Sequence, residues 1–317
     1  MKIVVLDGFA ANPGDLSWDF LGKYGEYEVF DRTPVSLISE RAKDAEIIVI
    51  NKTPVSREAL TELPGLKFIA VLATGFNVVD TAACDERGIY VANIPSYSVS
   101  AVAQQTFAFI LEYANRVGAH TLSVNSGDWT ASPDFSYQIA PLCELDGKTL
   151  GIIGYGRIGR RVASMAQAFG MKTLIHTAHP EKYPDAEFVS MEELLRNSDI
   201  VSLHCPLTLE TDKMVNRGFI SKMKDGAFLV NTSRGQEVDE TDLADALNSG
   251  KLSGAGVDVL SVEPPEADNP LLTAKNIYVT PHIAWAAKET RGRLLSILEE
   301  NIAAFVSGNP VNIVNMQ

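Results

Sequence analysis

The chain has 317 residues, of which 46% are apolar and 21% charged, and this length and composition suit a globular protein of about two domains. Forty acidic residues against 27 basic ones give a formal net charge of −13, which disfavours nucleic acid and anionic membrane surfaces as partners. Three scattered cysteines predict neither a disulfide framework nor a metal site, and the absence of a long apolar segment predicts a cytoplasmic protein.

Short apolar runs alternate with helical patterns in the first third of the chain. The runs are Lys2–Leu6, Ile47–Ile50, Leu66–Leu72 and Tyr90–Ala92. Their hydrophobicity is continuous rather than alternating, which is typical of strands buried on both faces of a parallel sheet. A long apolar stretch from Val99 to about Val117 follows. It predicts a helix that crosses from one domain to another.

A second set of apolar runs fills the rest of the chain. These are Thr149–Ile153, Thr173–Ile175, Ile200–Leu203, Ala227–Asn231, Gly254–Val257 and Ile277–Thr280. The tail, Lys288 to Phe305, predicts a helix that returns to the first domain. We therefore predict an α/β protein with two doubly wound parallel-sheet domains and a cleft between them. One domain is discontinuous, comprising residues 1–99 and 287–317, and the other spans residues 100–286.

A glycine-rich turn joins the first strand of the second set to a helical pattern. Gly154, Gly156 and Gly159 form the pattern G-x-G-x-x-G, and the loop between them also contains Tyr155, Arg157 and Ile158. In dinucleotide-binding folds, one glycine allows the tight turn, one admits the pyrophosphate and one allows helix–strand contact. The helix N-terminus then offers N–H donors to the phosphates. The pattern predicts that residues 100–286 form a Rossmann domain that binds a dinucleotide.

The second strand of this predicted domain lacks an expected carboxylate. An Asp or Glu at its end usually binds the ribose 2′-hydroxyl of NAD. Here the strand runs into His176-Thr177-Ala178-His179-Pro180, without a carboxylate and without a replacing arginine. Only His179 and Lys182 offer positive charge nearby. Both NAD and NADP therefore remain possible as cofactor.

Three chemically suited side chains follow predicted strands of the second set. Arg234 offers a planar two-pronged donor that matches a carboxylate. His282 can exchange a proton near neutral pH. Glu263, if bonded to that imidazole, would orient it and favour its charged form. Since ligands of open α/β sheets bind beyond the carboxyl ends of strands, the three can converge to reduce a 2-keto acid. Asp258, directly after a strand, could hold the nicotinamide carboxamide.

At these residues the sequence closely resembles the D-isomer-specific 2-hydroxyacid dehydrogenase family. The shared motifs are 154–159, 203–208 with Thr211, 231–235, 256–259 with Glu263-Pro264, and 281–283. The resemblance implies catalytic roles for Arg234, Glu263 and His282. It implies cofactor contacts from Gly154, Tyr155, Gly156, Arg157, Ile158, Gly159, Thr177, Cys205, Pro206, Thr211, Thr232, Ser233 and Asp258. It implies substrate contacts from Lys52, Ala73, Thr74, Gly75, Arg234 and Trp285, in which the 73–75 backbone shares the substrate anion with Arg234.

Within the family, the nearest resemblance is to glycerate dehydrogenases, also called hydroxypyruvate reductases. The segments that carry it are 51–54, 102–106, 282–286 and the ending 310–315. The expected substrate is hydroxypyruvate or D-glycerate, and also glyoxylate. The alternatives are a D-lactate-type dehydrogenase and a nicotinamide-sensing binding protein like the C-terminal-binding corepressors. The resemblance also implies a homodimer, built on the long helix and the following segment with Trp129 and Phe135.

Overall fold

A computed structural model describes residues 1–184 and 186–316, and the chain divides into two units. The first comprises Met1–Ser98 and Trp285–Gln317, and the second comprises Val99–Ala284. Each unit contains one parallel sheet covered by helices, which confirms the predicted α/β class. No helix in the described residues is long and apolar enough to span a bilayer.

The first unit has five parallel strands in the order β2-β1-β3-β4-β5. The strands are β1 (Lys2–Val5), β2 (Glu26–Val29), β3 (Ile47–Ile50), β4 (Phe68–Val71) and β5 (Tyr90–Ala92). The helices are α1 (Ile38–Ala42), α2 (Arg57–Thr61), α3 (Thr81–Glu86) and the C-terminal helix Lys288–Val306, with 3-10 turns at Gly8–Ala10, Asp19–Lys23 and Val35–Leu37.

Both faces of the first sheet are buried because side chains alternate along each strand. On one face, Val4 packs in a cluster with residues of α1, α2 and α3. On the other, Ile3 and Val5 pack with Leu294 and Leu298 of the C-terminal helix. Both ends of the chain therefore build this unit.

Polar contacts fix the C-terminal segment to the N-terminal part of the same unit. The Arg291 guanidinium donates to both carboxylate oxygens of Asp15 at 2.6 and 2.8 Å. Asn301 donates to the carbonyl of Asn93 at 2.9 Å. These contacts join residues more than 200 positions apart in sequence.

The second unit has six parallel strands in the order β11-β10-β9-β8-β6-β7. The strands are β6 (Thr149–Ile153), β7 (Lys172–His176), β8 (Ile200–Leu203), β9 (Ala227–Asn231), β10 (Leu252–Val257) and β11 (Ile277–Val279). The helices are α4 (Val99–Asn115), α5 (Val117–Asn125), α6 (Asp128–Ala131), α7 (Arg157–Ala168), α8 (Met191–Asn197), α9 (Arg217–Lys222) and α10 (Glu240–Ser249), with 3-10 turns at Pro180–Lys182, Gly235–Glu237 and Pro270–Thr273.

The strand order of the second sheet reverses at β6, whose neighbours are β7 and β8. Helices α4 and α7 cover one face, and α8, α9 and α10 cover the other. In sheets of this kind, ligands bind beyond the carboxyl ends of the strands at the point of reversal. The turn after β6 therefore lies at the expected ligand position.

Two features of the fold differ from the sequence-based expectation. Strand β2 was not predicted, because Glu26–Val29 is a largely exposed edge strand without an apolar run. The predicted helix from Val99 to about Val117 ends at Asn115, and Arg116 adopts φ 53° before α5 begins. The Arg116 guanidinium donates to the Tyr278 hydroxyl, and this contact accompanies the break.

Candidate active site

The glycine-rich turn has the geometry that a dinucleotide requires. Gly154 adopts φ +96°, and a Cβ there would lie 2.5 Å from the backbone of His204. A Cβ at Gly159 would lie 2.1 Å from the Gly154 carbonyl oxygen. At Gly156 a Cβ would meet nothing within 4 Å. The first and third glycines are thus required by the turn itself, while the second leaves open space beside the N-terminus of α7.

The N-terminus of α7 has free hydrogen-bonding capacity. Gly156 is the N-cap residue, and no side chain of residues 1–184 or 186–316 caps the first turn of this 12-residue helix. The unpaired N–H groups and the helix dipole favour an anion there. Tyr155 packs edge-on against the ring of Tyr183 at 5.4 Å between centroids. Arg157 is exposed and Ile158 half-buried on the first turn of the helix. These residues fit a dinucleotide pyrophosphate.

Thr177 directly follows β7, where the ribose-binding carboxylate was missing from the sequence. It is half-buried, and its Oγ1 accepts the His179 amide at 3.3 Å. The sequence suggested His179 as a positive group, but its Nδ1 lies 3.3 Å from a carboxylate oxygen of Glu181. That carboxylate offsets any charge on the ring.

The loops after β8 and β9 are joined by side-chain hydrogen bonds. Ser233 Oγ lies 2.6 Å from the carbonyl oxygen of Cys205. Buried Thr232 bonds Thr106 of α4 at 3.1 Å. In the loop after β8, Thr211 donates to the Pro206 carbonyl at 2.8 Å. The predicted cofactor residues of these loops therefore share one connected region at the carboxyl edge of the sheet.

Arg234 follows β9 and has an exposed side chain. Its backbone carbonyl accepts a hydrogen bond from the side-chain amide of Asn231 at 2.7 Å, which fixes the turn. Its guanidinium donates to the Ser233 carbonyl at 2.8 Å, and no carboxylate in the described residues pairs with it. A guanidinium that is held by its own loop and has no carboxylate partner in this part of the chain is suited to an anionic ligand.

His282 and Glu263 form a hydrogen-bonded pair. His282 Nδ1 lies 2.7 Å from Glu263 Oε2, and each side chain is about one-third exposed. The other oxygen of Glu263 accepts the Leu260 amide at 3.1 Å. With Nδ1 committed to the carboxylate, Nε2 is the ring atom that can exchange a proton with a ligand.

Asp258 anchors the loop that presents His282. Its carboxylate, which is 1% exposed, accepts the Thr280 hydroxyl at 2.5 Å and the Ile283 and Ala284 amides at 2.9 and 2.8 Å. The His282 amide donates to the Asp258 backbone carbonyl at 2.8 Å, and His282 itself adopts φ 53°. Burial raises the pKa of Asp258. The sequence suggested a nicotinamide contact for Asp258, but it did not reveal this anchoring.

The three predicted catalytic residues lie at the same edge of the sheet. Asn231 is in register with Val257, and Val257 with Val279, so β9, β10 and β11 end at one level. Neighbouring strands lie about 4.8 Å apart, which puts the ends of β9 and β11 about 10 Å apart. The structure bonds His282 to Glu263 directly and places Arg234 on the neighbouring loop without a bond to either.

Two contacts that the sequence did not indicate join the Arg234 loop to the loop before Glu263. Gln236 donates its side-chain amide to the Ser261 carbonyl at 2.9 Å. A Cβ at Gly235 would lie 1.9 Å from the carbonyl carbon of Leu260. Close backbone approach of this kind explains the glycine, but nothing local in the sequence identifies its partner.

The predicted substrate residues of the first unit form part of two loops. The backbone amide of Lys52 donates to Asp7 at 2.6 Å, as do its neighbours at 51 and 53, so Asp7 fixes the loop after β3. Ala73, Thr74 and Gly75 follow β4. Thr74 donates to the Ile94 carbonyl at 3.0 Å, and the Ala73 carbonyl accepts the Ile94 amide at 3.0 Å.

Trp285 is half-buried and packs against the core of the first unit. Its ring meets Tyr97 edge-on, at 6.3 Å between centroids. Its predicted part in the substrate pocket stays a prediction, as does the sharing of a substrate anion between the 73–75 backbone and Arg234.

His204 is a half-buried residue near the glycine turn. Burial lowers its pKa to about 3, so the ring is neutral at physiological pH. Its Nε2 lies 2.8 Å from the Ser202 hydroxyl. A neutral, satisfied imidazole of this kind is a structural residue and does not act as an acid.

The chain is similar to known proteins over nearly its whole length. The family model described as D-isomer specific 2-hydroxyacid dehydrogenase, NAD binding domain, matches residues 107–284. The chain is 50% identical to a hydroxypyruvate reductase of Blautia hydrogenotrophica, across 99% of this chain and 100% of that protein. It is 41% identical to a glycerate dehydrogenase of Methylorubrum extorquens, across 99% and 98%.

A solved structure with bound ligands also resembles the chain. The D-lactate dehydrogenase of Aquifex aeolicus, crystallised with NAD and lactic acid, has a TM-score of 0.81 and 32% sequence identity. The match covers 98% of this chain and 99% of that one. Similarity in sequence and in fold thus extends over both units.

Proposed function

The chain belongs to the D-isomer-specific 2-hydroxyacid dehydrogenase family, and we propose that it reduces hydroxypyruvate to D-glycerate with a nicotinamide cofactor. Glyoxylate is the expected second substrate. The observation that carries the proposal is the 2.7 Å bond between His282 and Glu263, at a sheet edge that also presents the guanidinium of Arg234, which pairs with no carboxylate of the described residues. The similarity to the hydroxypyruvate reductase and the glycerate dehydrogenase supports the choice of substrate.

The residues of the site divide the reaction among them. When bound, the reduced nicotinamide supplies the hydride that goes to C2 of the keto acid. Arg234 binds the substrate carboxylate through its two-pronged donor and supplies positive charge within a protein of net charge −13. His282 donates the Nε2 proton to the carbonyl oxygen, and Glu263 orients the ring through its bond to Nδ1.

The direction of the reaction fixes the part that His282 plays. In reduction, the imidazole acts as an acid and gives its Nε2 proton to the carbonyl oxygen. In oxidation of the hydroxy acid, the same nitrogen acts as a base and takes the proton of the hydroxyl group.

The dinucleotide site fits either cofactor. The turn at Gly154–Gly159 and the free N-terminus of α7 suit the pyrophosphate that NADH and NADPH share. We propose that both bind, since no carboxylate stands at Thr177 to repel a 2′-phosphate. The Glu181 carboxylate beside His179 weakens any attraction of that phosphate, which favours dual use over strict NADPH selectivity.

We further propose that the protein is a homodimer. Beyond α4, several large apolar side chains are exposed, and Phe135 is 91% exposed. The members of this segment are Val117, Leu122, Trp129, Phe135, Ile139 and Leu142. Exposed apolar residues at this density are typical of a protein–protein interface.

A panel of keto acids tests the reaction. Initial rates with hydroxypyruvate, glyoxylate and pyruvate are measured with NADH and NADPH in parallel, and the highest kcat/KM is expected for hydroxypyruvate. A preference for pyruvate would assign the chain to lactate-type chemistry, and inactivity across the panel would overturn the proposal. In the His282→Ala variant, turnover should fall by about 10²–10⁴-fold with cofactor affinity unchanged. Near-normal turnover there would remove His282 from its assigned role.

A further inference from the structure

Glu237 is a carboxyl group inside the second unit, three residues after Arg234. It is 0% exposed. The 3-10 turn Gly235–Glu237 leads the chain inward, and the Val215 amide donates to the Glu237 backbone carbonyl at 2.9 Å. The proposed reaction gives this residue no task, although it lies directly behind the loop of Arg234.

The hydrogen bonds around the carboxyl group indicate that it carries a proton. Ser233 Oγ lies 2.6 Å from the Cys205 carbonyl oxygen and 3.1 Å from Glu237 Oε1. A carbonyl oxygen only accepts, so the single proton of the Ser233 hydroxyl is committed to Cys205. The second contact then needs a proton from Glu237.

The remaining contacts of Glu237 are too few to stabilise a carboxylate. Its Oε1 lies 3.7 Å from the Cys205 sulfur, which is a weak donor. Its Oε2 is buried and has no hydrogen-bond partner among the described residues. A buried ionised carboxylate normally accepts several good hydrogen bonds or pairs with a cation. The neutral acid fits this environment better.

The charges on the surrounding segments do not compensate the burial. Burial raises the pKa of Glu237 to about 7, and the lowering effects of its hydrogen bonds and of Arg234 are smaller. Burial and the neighbouring carboxyl group raise the pKa of the Cys205 thiol to about 12, so that group stays neutral. On the segment before Val215, the Lys213 ammonium lies 3.6 Å from the Asp239 carboxylate and serves that partner.

We propose that Glu237 is a positioning residue whose proton holds the two loops of the cofactor site together. As a neutral acid it donates to Ser233 and leaves the Ser233 proton on the Cys205 carbonyl. Loss of the proton gives an anion that competes for the Ser233 hydroxyl and places negative charge behind Arg234. The inference rests on the proposed function, in which these loops bind the dinucleotide and the keto acid.

The consequence is an affinity for anionic ligands that declines through neutral pH. Both effects of ionisation act in one direction, because a loosened loop and a new negative charge each weaken the binding of a dinucleotide. We expect the Kd of wild-type protein for NADH and for NADPH to rise about three- to tenfold between pH 6.0 and pH 8.5. The KM for hydroxypyruvate should rise with it.

Substitution with glutamine tests the role of the proton. In Glu237→Gln, the amide can donate to Ser233 and does not titrate, so tight binding should persist at pH 8.5 and the pH profile should flatten. Glu237→Leu removes the donor and should bind weakly at every pH. Glu193→Gln makes the same chemical change at an exposed position of α8 and should keep the wild-type profile. Parallel profiles for wild type and Glu237→Gln would refute the proposal.

Unfolding of the cofactor-free protein provides a second, independent measurement. A carboxyl group with a raised pKa in the folded state loses its stabilising contribution as pH rises from its unfolded value, 4.5, through about 7. The difference in melting temperature between Glu237→Gln and wild type should therefore be several degrees more in favour of the variant at pH 8.5 than at pH 5.0. An unchanged difference would show that Glu237 titrates like an exposed carboxyl and would overturn the proposal.

The two measurements separate failure of this inference from failure of the proposed function. If NADH and NADPH bind and the pH profiles of affinity coincide for wild type and Glu237→Gln, only the proposed role of Glu237 is refuted. If neither dinucleotide binds at any pH, the proposed function falls and the positioning role falls with it. In that case the melting temperatures still decide whether Glu237 holds a proton in the folded protein.

Discussion

Alanine at two positions of the glycine turn should separate folding from cofactor binding. At Gly154, alanine meets a left-handed backbone, which costs about 1–2 kcal/mol. Its Cβ also lies 2.5 Å from the His204 backbone, and overpacking of this kind costs about 1–3 kcal/mol. Gly154→Ala should therefore destabilise the protein by about 2–5 kcal/mol.

Gly156→Ala is the matched substitution with the opposite expectation. The backbone φ of −68° suits any residue, and the added Cβ meets nothing within 4 Å. Alanine loses a little as a helix N-cap and gains about 0.4–1 kcal/mol from the unfolded state, so stability should stay within about 1 kcal/mol of wild type. The methyl group occupies the space proposed for the pyrophosphate, however. Loss of one hydrogen bond to a charged group, about 1.5–3 kcal/mol, weakens binding about 10- to 150-fold.

Two assays on the same three proteins decide the matter. Urea unfolding of the cofactor-free protein, followed by circular dichroism, reports stability, and fluorescence titration with NADH and NADPH reports affinity. The expected pattern is an unfolding midpoint lowered only in Gly154→Ala and an affinity lowered in Gly156→Ala. Wild-type affinity in Gly156→Ala would show that the phosphates do not approach this turn. A lower midpoint for Gly156→Ala than for Gly154→Ala would refute the steric reasoning.

Three further changes test the remaining assignments. Arg234→Lys keeps the charge but loses the two-pronged donor. The kcat/KM for hydroxypyruvate should therefore fall about 10–100-fold with the Kd for NADH unchanged. An unchanged kcat/KM would exclude the carboxylate contact. Thr177→Asp should weaken NADPH binding at least about tenfold while NADH binding is retained. The neutral variant Thr177→Asn should leave the binding of both cofactors unchanged. Equal losses for both cofactors in Thr177→Asp would contradict the ribose assignment. Phe135→Ser should convert a dimer into a monomer in sedimentation velocity, and a monomeric wild type would remove the proposed interface.

The buried strands of the fold could be predicted from sequence because continuous apolar runs indicate strands that are buried on both faces. Ile47–Ile50 and Ile200–Leu203 have the same bounds in prediction and structure. The edge strand Glu26–Val29 lacks such a run, since water covers most of its side chains. The break at Arg116 has no local signal either, because arginine is a good helix former and the Tyr278 hydroxyl that meets its guanidinium is 162 residues away in sequence.

In the candidate site, too, the residues with a local sequence signal could be predicted and those without one could not. Residue type and position alone indicate the dinucleotide site, through the glycine fingerprint. They also indicate the catalytic residues, which are an arginine, a glutamate and a histidine after strand ends. The supporting contacts of Asp7, Gln236 and Asp258 depend on which loops the sheet brings together, and that information is not local. Glu237 was missed for a related reason: in the sequence, a glutamate beside a helix start is ordinarily an exposed residue.

The first unit consists of segments from both ends of the chain, and this has a consequence for its synthesis on the ribosome. The partners of Asp15 and Asn93 lie on the C-terminal helix, so the face of the sheet that this helix covers stays open until the helix emerges. Residues 99–287 are translated in between, which takes roughly 10–40 s at about 5–20 residues per second. Apolar strands that stay exposed for this time are a target for a chaperone. The continuous second unit has time to fold first.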